Sequence, residues 1–361
     1  MKIVLFAGGV GSRLWPLSRK NAPKQFGKII GNKTMLQIAV GKLFPDFSWE
    51  NVYISTGKHY GENVKEQLPE LPSANIIVEP EMRDVGPAVG LVAAHFVRSN
   101  PTEPIALLWG SDHLVREEAL FRNALKTAET LVQKDTDRIV FISQKPRFAS
   151  QNLGYIEFGK QIETISDFPV YSFTGFQYRP HLSTAEKWVK DGHHAWNLGY
   201  FVTTPQFLWK LFEQFAPELF AQLKTISDAI GTPSYESVLH EIYPQIEKIS
   251  FDNAILEKMN PSYASVISTD LGWSDIGAWE ALKEALSTTE DENVTRGDVL
   301  IEDTNDSLVF NFTQQLVVGI DLSEMVVVNT NDVILICPKE SVPKIKKIVE
   351  NLNGTSYEHL V

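Results

Sequence analysis

The stretch "FAGGVGSRLWPLSRKNAPKQF", Phe6 to Phe26, constrains the fold of this chain more than any other. An apolar run, Ile3 to Phe6, leads directly into Gly8, Gly9 and Gly11, then Arg13, and later Lys24. A strand that ends in a glycine-rich loop belongs to α/β architecture, where backbone N–H groups can approach an anion closely. Two well-known loops are excluded. A dinucleotide-binding fingerprint wants a third small residue where Leu14 stands, and a P-loop ends in Gly-Lys-Ser/Thr, which is missing here. What remains is a loop fit for phosphate, stiffened by Pro16 and Pro23, with Arg13 and Lys24 to supply charge. The competing reading is an ordinary strand-to-helix turn with solvated basic residues.

Strand-like runs at 2–7, 51–55, 75–79, 105–109 and 138–143 alternate with helical patterns near 34–44, 58–67, 86–99 and 116–134. That alternation predicts a sheet flanked by helices. The middle, about 150–270, mixes short strands with helices and reads as insertions. From about residue 288 a polar, turn-rich stretch gives way to short β runs, and "VPKIKKIVENL" closes the chain as a helix. The spacing of these runs is only loosely regular, weak grounds for a coiled β-repeat. We expect two domains, 1–288 and 289–361.

Composition excludes several classes. At 361 residues and 43% hydrophobic content, the chain can bury a large core. An excess of Asp and Glu (45) over Lys and Arg (33), net −12, speaks against a nucleic-acid surface. The single cysteine, Cys337, rules out an intrachain disulfide and a cysteine-based metal cluster, and reads as a small apolar strand residue. No segment approaches the ~18 apolar residues of a membrane span, and the N-terminal apolar run is too short for a signal peptide. Cytoplasmic location is the expectation.

The loop resembles the signature of the sugar-phosphate nucleotidyltransferases, and "GGVGSRLWPLSR…PKQF" resembles the mannose-1-phosphate guanylyltransferases in particular. Further segments match in order: "VEPEMRDVGPAVGLVAA", "SDH", "GYIE", "WNLGYF", "ISFDNAILEK" and "LGWSDIGAWEAL". The tail from "NVTRGDVLIEDTNDSLV" onward is also similar, so the resemblance covers nearly the whole chain. It implies a Rossmann-like catalytic domain with a mixed, mainly parallel central sheet, followed by a small β-rich, β-helix-like domain. It also implies transfer of GMP from GTP to mannose 1-phosphate, with release of pyrophosphate.

Such a reaction brings two polyanions together, so catalysis is mostly alignment and charge neutralisation. The resemblance makes Arg13, Lys24, Asp112 and Asp275 the catalytic set, with Asp112 and Asp275 holding Mg2+. Asp112 follows a sheet strand at its carboxyl end, where α/β folds bind ligands. Asp275, taken alone, reads better as a helix N-cap. Nucleotide contacts are expected from Ala7, Gly8, Gly9, Gly11, Ser12, Arg13, Glu79, Gly86, Pro87 and Asp112. Glu79 has the chemistry to accept from guanine N1–H and the exocyclic amine.

Sugar-phosphate contacts are expected from Gly154, Glu157, Arg179 and Asn197. Trp196 and Tyr155 read as packing rather than stacking platforms. Asp252, Glu257 and Lys258 belong to a family motif whose role the residues do not reveal. The sequence does not fix the oligomeric state; the β-rich tail is the candidate contact for a homodimer. No site residue falls in that tail, so removing it is expected to affect association before chemistry.

The chain departs from the family where Trp109-Gly110-Ser111 precedes Asp112, at Tyr178-Arg179-Pro180, at Asp84-Val85-Gly86 and at Leu198. These departures bear on substrate preference. Other readings are a nucleotidyltransferase for a different sugar phosphate or base, a catalytically silent regulatory paralogue, and a glycosyltransferase. The last would want a second aspartate beside Asp112, where Ser111 stands.

Overall fold

In the computed structural model, every residue is described except Val10, Asn21, Asn152 and Glu290; the side chain of Ser12 also lies outside the described set. Seventeen strands occur among the described residues. They are β1 Lys2–Phe6, β2 Val52–Gly57, β3 Ile76–Glu79, β4 Ile105–Trp109, β5 His113–Val115 and β6 Ile139–Gln144. Next come β7 Gly154–Ile165, β8 Phe168–Tyr178, β9 His194–Thr203, β10 Ala264–Thr269 and β11 Trp273–Asp275. The last six are β12 Val294–Arg296, β13 Val299–Glu302, β14 Leu308–Asn311, β15 Val317–Ile320, β16 Met325–Asn329 and β17 Ile334–Pro338.

The chain divides into two compact units. The first, residues 1–8, 40–111 and 115–273, is built on a nine-stranded sheet of order β3-β2-β1-β4-β9-β6-β10-β8-β7. The sheet is mixed, as expected. Its parallel pairings join β3, β2, β1 and β4 and, separately, β6 and β10. Antiparallel pairings by β9, β8 and β7 take a larger share than the strand–helix alternation suggests. The reason is the middle of the chain, where "YIEFG" extends into a hairpin of 12 and 11 residues, β7 and β8. The second half of β7 is largely polar and exposed, so the apolar pattern that marks a strand fades before that strand ends.

Central strands such as β1 are apolar and buried after their first residue, Lys2, as sheets covered on both faces require. The helix Val85–Ser99 buries ten residues and begins at Asp84, whose side chain accepts from the Val85 N–H at 2.7 Å. The helix Pro205–Phe215 carries a Thr204 cap and proline in its first turn.

The second unit comprises residues 9–39, 112–114 and 274–361. Its β-rich part stacks strands from successive coils in parallel: β12 on β14, β14 on β16, and β13 on β15, with β17 closing one edge antiparallel. Asn311 and Asn329 occupy matching positions, and the Asn329 amide donates to Asn311 Oδ1 at 3.1 Å. Asp306 ties the coil to its surroundings by pairing with both Lys283 and Lys339. Cys337 is half-buried on β17.

The core of this unit draws on the glycine loop as well as the tail. Leu14, Trp15, Ile29 and Met35, from the glycine loop and the segment after it, pack with Trp279, Phe310, Val328, Val342 and Leu360. The Trp15 indole N–H donates to the Leu360 carbonyl at 2.7 Å, and Trp279 Nε1 donates to the Trp15 carbonyl at 2.9 Å. The tail therefore braces the loop, although no site residue lies in it. Deleting residues 358–361 removes an acceptor from a buried donor and a buried leucine, at a cost of roughly 3 kcal/mol. We expect a lower Tm together with a severalfold rise in KM for the nucleotide, read by calorimetry and steady-state kinetics. An unchanged KM would return the tail to a role in association alone.

Candidate active site

The glycine loop is shaped around Lys24. Gly11 has φ +61, and a Cβ there would lie 2.6 Å from the Lys24 side-chain stem. Only glycine satisfies both the backbone and the space. Gln25, buried and not anticipated from the sequence, donates to the Gly9 carbonyl at 3.2 Å and holds the loop from inside. In the first unit, Ala7 is engaged in the sheet on both sides, through its N–H to Ser55 and its carbonyl from Thr56. Gly8 is exposed.

Beyond that loop the second unit assembles a charged cluster. Lys24 is ion-paired to Asp112. Arg13 and Asp275 flank Gly277, where a Cβ would lie 3.0 Å from Asp275 Oδ1 and 3.2 Å from the Arg13 Nη2. His113 Nε2 stands 4.0 Å from Asp275 Oδ1. The two carboxylates arrive on the short β5–β11 ladder, Asp112 just before one strand and Asp275 at the end of the other.

Burial disfavours the Lys24 ammonium, but Asp112 and then Asp275 outweigh it and hold its pKa above the ordinary lysine value. Burial also works against the Asp112 carboxylate, and Lys24 with His113 outweighs it, so its pKa falls below the usual range. Both groups stay charged through the neutral range. Glu280 joins the cluster unannounced by the sequence; burial raises its carboxyl, while Arg13 opposes the shift.

Asp275 is not the helix cap. The following helix runs Trp279–Leu286 with Ala278 at its N-cap, so the carboxylate is free of that duty. Among the described residues no group of three or more His, Cys, Asp or Glu side chains forms a metal cage. Two hard carboxylate donors suit magnesium, which takes its remaining ligands from substrate oxygens and water.

The first unit holds the other predicted residues in two places. Glu79 ends β3 at its carboxyl edge; it is 7% exposed, and the Tyr243 hydroxyl donates to its Oε2 at 2.7 Å. Burial raises its carboxyl to about 7, with the Tyr243 bond pulling the other way. Gly86 and Pro87 are buried in the first turn of the helix Val85–Ser99. The Gly86 N–H is committed to the Ile249 carbonyl at 3.0 Å, and a Cβ there would lie 2.6 Å from that oxygen. Gly86 is thus required for close packing. Asp252, nearby in sequence, is lifted to about 6 by burial first, with Glu257 and Asp84 adding to the shift. Lys258 donates to the Phe215 carbonyl at 3.2 Å, a scaffolding contact.

The second place is where β7, β8 and β9 meet. Gly154 pairs with Tyr178 on one side and Asn197 on the other, and the Arg179 N–H donates to the Leu153 carbonyl. Asn197 Oδ1 accepts from the Gly199 N–H at 3.0 Å. Arg179 has φ 50 and stacks its guanidinium over the exposed Tyr178 ring at 4.9 Å. Glu157 lies opposite His194, three residues from Gly154, so strand alternation turns it to the face away from Asn197. The structure sets Gly154 between Tyr178 and Asn197, with Arg179 directly after Tyr178 and Glu157 opposite His194 on the same strand pair. Trp196 and Tyr155 are buried packing residues, as expected. Trp109, one of the departures, fills the space beside Gly199 and meets Phe201 and Phe251 edge-on.

A strand that runs into a glycine loop, with Asp112 just before one short strand and Asp275 ending its partner, is the arrangement of a nucleotidyl-transferring α/β protein. The nucleotidyl transferase family model matches residues 2–292, and the model of a mannose-phosphate isomerase/GMP-like β-helix domain matches residues 297–352. The chain is 32% identical over 363 aligned residues to mannose-1-phosphate guanylyltransferase 2 of Escherichia coli O157:H7, spanning 97% of this chain and 73% of that one. It is 31% identical to the mannose-1-phosphate guanylyltransferase of Escherichia coli K12, spanning 99% and 75%. A crystal structure from Thermus thermophilus, described as a mannose-1-phosphate geranyltransferase, superposes with a TM-score of 0.86 at 26% identity, covering 98% of this chain and 99% of that one. The chain belongs to the nucleotidyl transferase family, and within it to the mannose-1-phosphate guanylyltransferases.

Proposed function

We propose that this protein transfers GMP from GTP to mannose 1-phosphate, giving GDP-mannose and pyrophosphate. The observation that carries this reading is the Lys24–Asp112 pair with Arg13 and Asp275 around it. A sugar-phosphate oxygen attacks the α-phosphorus in line, and pyrophosphate leaves on the opposite side. Gly8, Gly9, Gly11 and Ser12 offer backbone donors to the nucleotide phosphates, and Arg13 neutralises the leaving pyrophosphate. Lys24 follows the charge that develops on the α-phosphoryl oxygens. Magnesium held by Asp112 and Asp275 would add positive charge on the same oxygens. Glu79 reads the guanine edge, and Ala7, Gly86 and Pro87 support the nucleotide by fixing the backbone.

The test is pyrophosphate release across a grid of nucleotides and sugar 1-phosphates. GTP with mannose 1-phosphate should give the highest kcat/KM; a much larger value for another pair would overturn the substrate assignment and leave the reaction class.

The same reading assigns 1–288 to catalysis and 289–361 to the β-rich domain, with the cytoplasm as compartment. Among the described residues, no helix is long and apolar enough to cross a membrane. Leu300, Val318 and Ile320 form an exposed apolar face on β13 and β15, and we assign it to a homodimer contact. Val318→Lys should halve the mass seen by light scattering, and an unchanged mass would refute the contact.

Arg179, directly after Tyr178, is the residue for the sugar's phosphate. A guanidinium grips phosphate through two parallel hydrogen bonds, each contributing roughly 1.5–3 kcal/mol. Arg179→Ala should therefore raise KM for mannose 1-phosphate about tenfold while KM for GTP moves little. Equal changes in both would show that Arg179 does not discriminate the sugar phosphate.

A further inference from the structure

We propose that Tyr243 is a positioning residue for base selection, holding the Glu79 carboxylate so that its free oxygen accepts from the paired donors of a guanine edge. The inference rests on the reading of Glu79 as the base contact. Glu79 accepts from Tyr243 through Oε2, and among the described residues no other group hydrogen-bonds its carboxylate. Among the described residues no lysine or arginine forms an ion pair with it; Arg83 is near enough to act on the Tyr243 phenol, but pairs with Glu81 at 2.7 Å.

A carboxylate has about four acceptor positions, and one tyrosine fills one of them. A nearly buried group with that much unmet capacity is matched by a ligand edge that brings donors side by side. Guanine presents N1–H beside its exocyclic amine. Adenine and cytosine set an amine beside an acceptor nitrogen, and uracil sets one N–H between two carbonyls.

Tyr243 is suited to fixing the carboxylate. It opens the turn Tyr243–Gln245 after the helix Tyr235–Ile242 and is fully buried in the main core of its unit. Burial first, then the neighbouring Glu79, raises its phenol well above the ordinary value, so it remains a donor. Its position is set by packing, and that position is passed to Glu79 through a single 2.7 Å bond. Sequence distance hides the pair, since 164 residues separate the partners.

The experiment compares kcat/KM for GTP and ITP, which lacks the 2-amino group, in the full-length protein. The intact enzyme should prefer GTP by about 30-fold, the value of one charge-assisted hydrogen bond. Tyr243→Phe should cut that preference at least fivefold with KM for mannose 1-phosphate unchanged. Tyr243→His, which keeps a ring donor but moves it, should show a preference between those of the intact enzyme and the phenylalanine variant; if the phenylalanine variant does not fold, a full GTP preference in Tyr243→His would overturn the proposal. Glu79→Gln should abolish the preference, and adding Tyr243→Phe to it should change nothing further. If Glu79→Gln leaves the preference intact, the base contact itself is wrong. If Glu79→Gln abolishes it while Tyr243→Phe lowers GTP and ITP turnover equally, Glu79 stands and Tyr243 is only a structural brace.

Discussion

Replacing Lys24 with alanine is expected to lower kcat by about 10³ while the protein remains folded. The ammonium pairs directly with the Asp112 carboxylate and also feels Asp275. Preorganised charge of this kind, aimed at oxygens where negative charge develops, accounts for about 10²–10³ in rate when a single donor is removed. Alanine also strips Asp112 of its cation, and a buried carboxylate without one moves toward its neutral form.

Lys24→Arg should recover little. Gly11 leaves a channel for a straight aliphatic stem, and a Cβ there would already lie 2.6 Å from it, so a planar guanidinium cannot follow the same path to Asp112. Steady-state kinetics with a thermal melt on both variants decides the matter. A normal kcat in Lys24→Ala would show that the lysine merely neutralises Asp112.

Much of this cluster was legible before any coordinates, because its members sit on local signals. Arg13 and Lys24 follow glycines, and Asp112 follows an apolar strand. The early sheet strands and the terminal helix were also visible, since an apolar period of two or a run of five needs no distant partner. What could not be read depends on partners far away in sequence.

The Trp15 indole meets a carbonyl 345 residues later, and nothing near Trp15 announces it. Gly86 carries a packing requirement that the motif does not announce, since it comes from the Ile249 carbonyl. Glu157 and Asn197 looked like one pair of sugar ligands. Their faces depend on strand register, and a sequence motif does not contain register.

Asp275→Asn is expected to reduce kcat by about 10²–10³ and to raise the magnesium needed for half-maximal rate at least tenfold, with Tm nearly unchanged. The alternative for this residue was a helix cap, for which asparagine is about as good as aspartate and alanine is worse. The helix starts three residues too late for that, at Trp279 behind Ala278. No described donor hydrogen-bonds the carboxylate, its side chain is 32% exposed, and Gly277 keeps the space around it open beside the Arg13 guanidinium. A carboxylate left half-open and unbonded adds little to stability, so its placement opposite a lysine and an arginine has to be justified by a ligand. Asparagine keeps the size and loses the charge, so the change isolates metal holding from packing. The magnesium titration separates the outcomes: a lower kcat at an unchanged magnesium requirement would mean that Asp275 orients Arg13 instead of binding the ion. A lower Tm with normal turnover would make the residue structural after all.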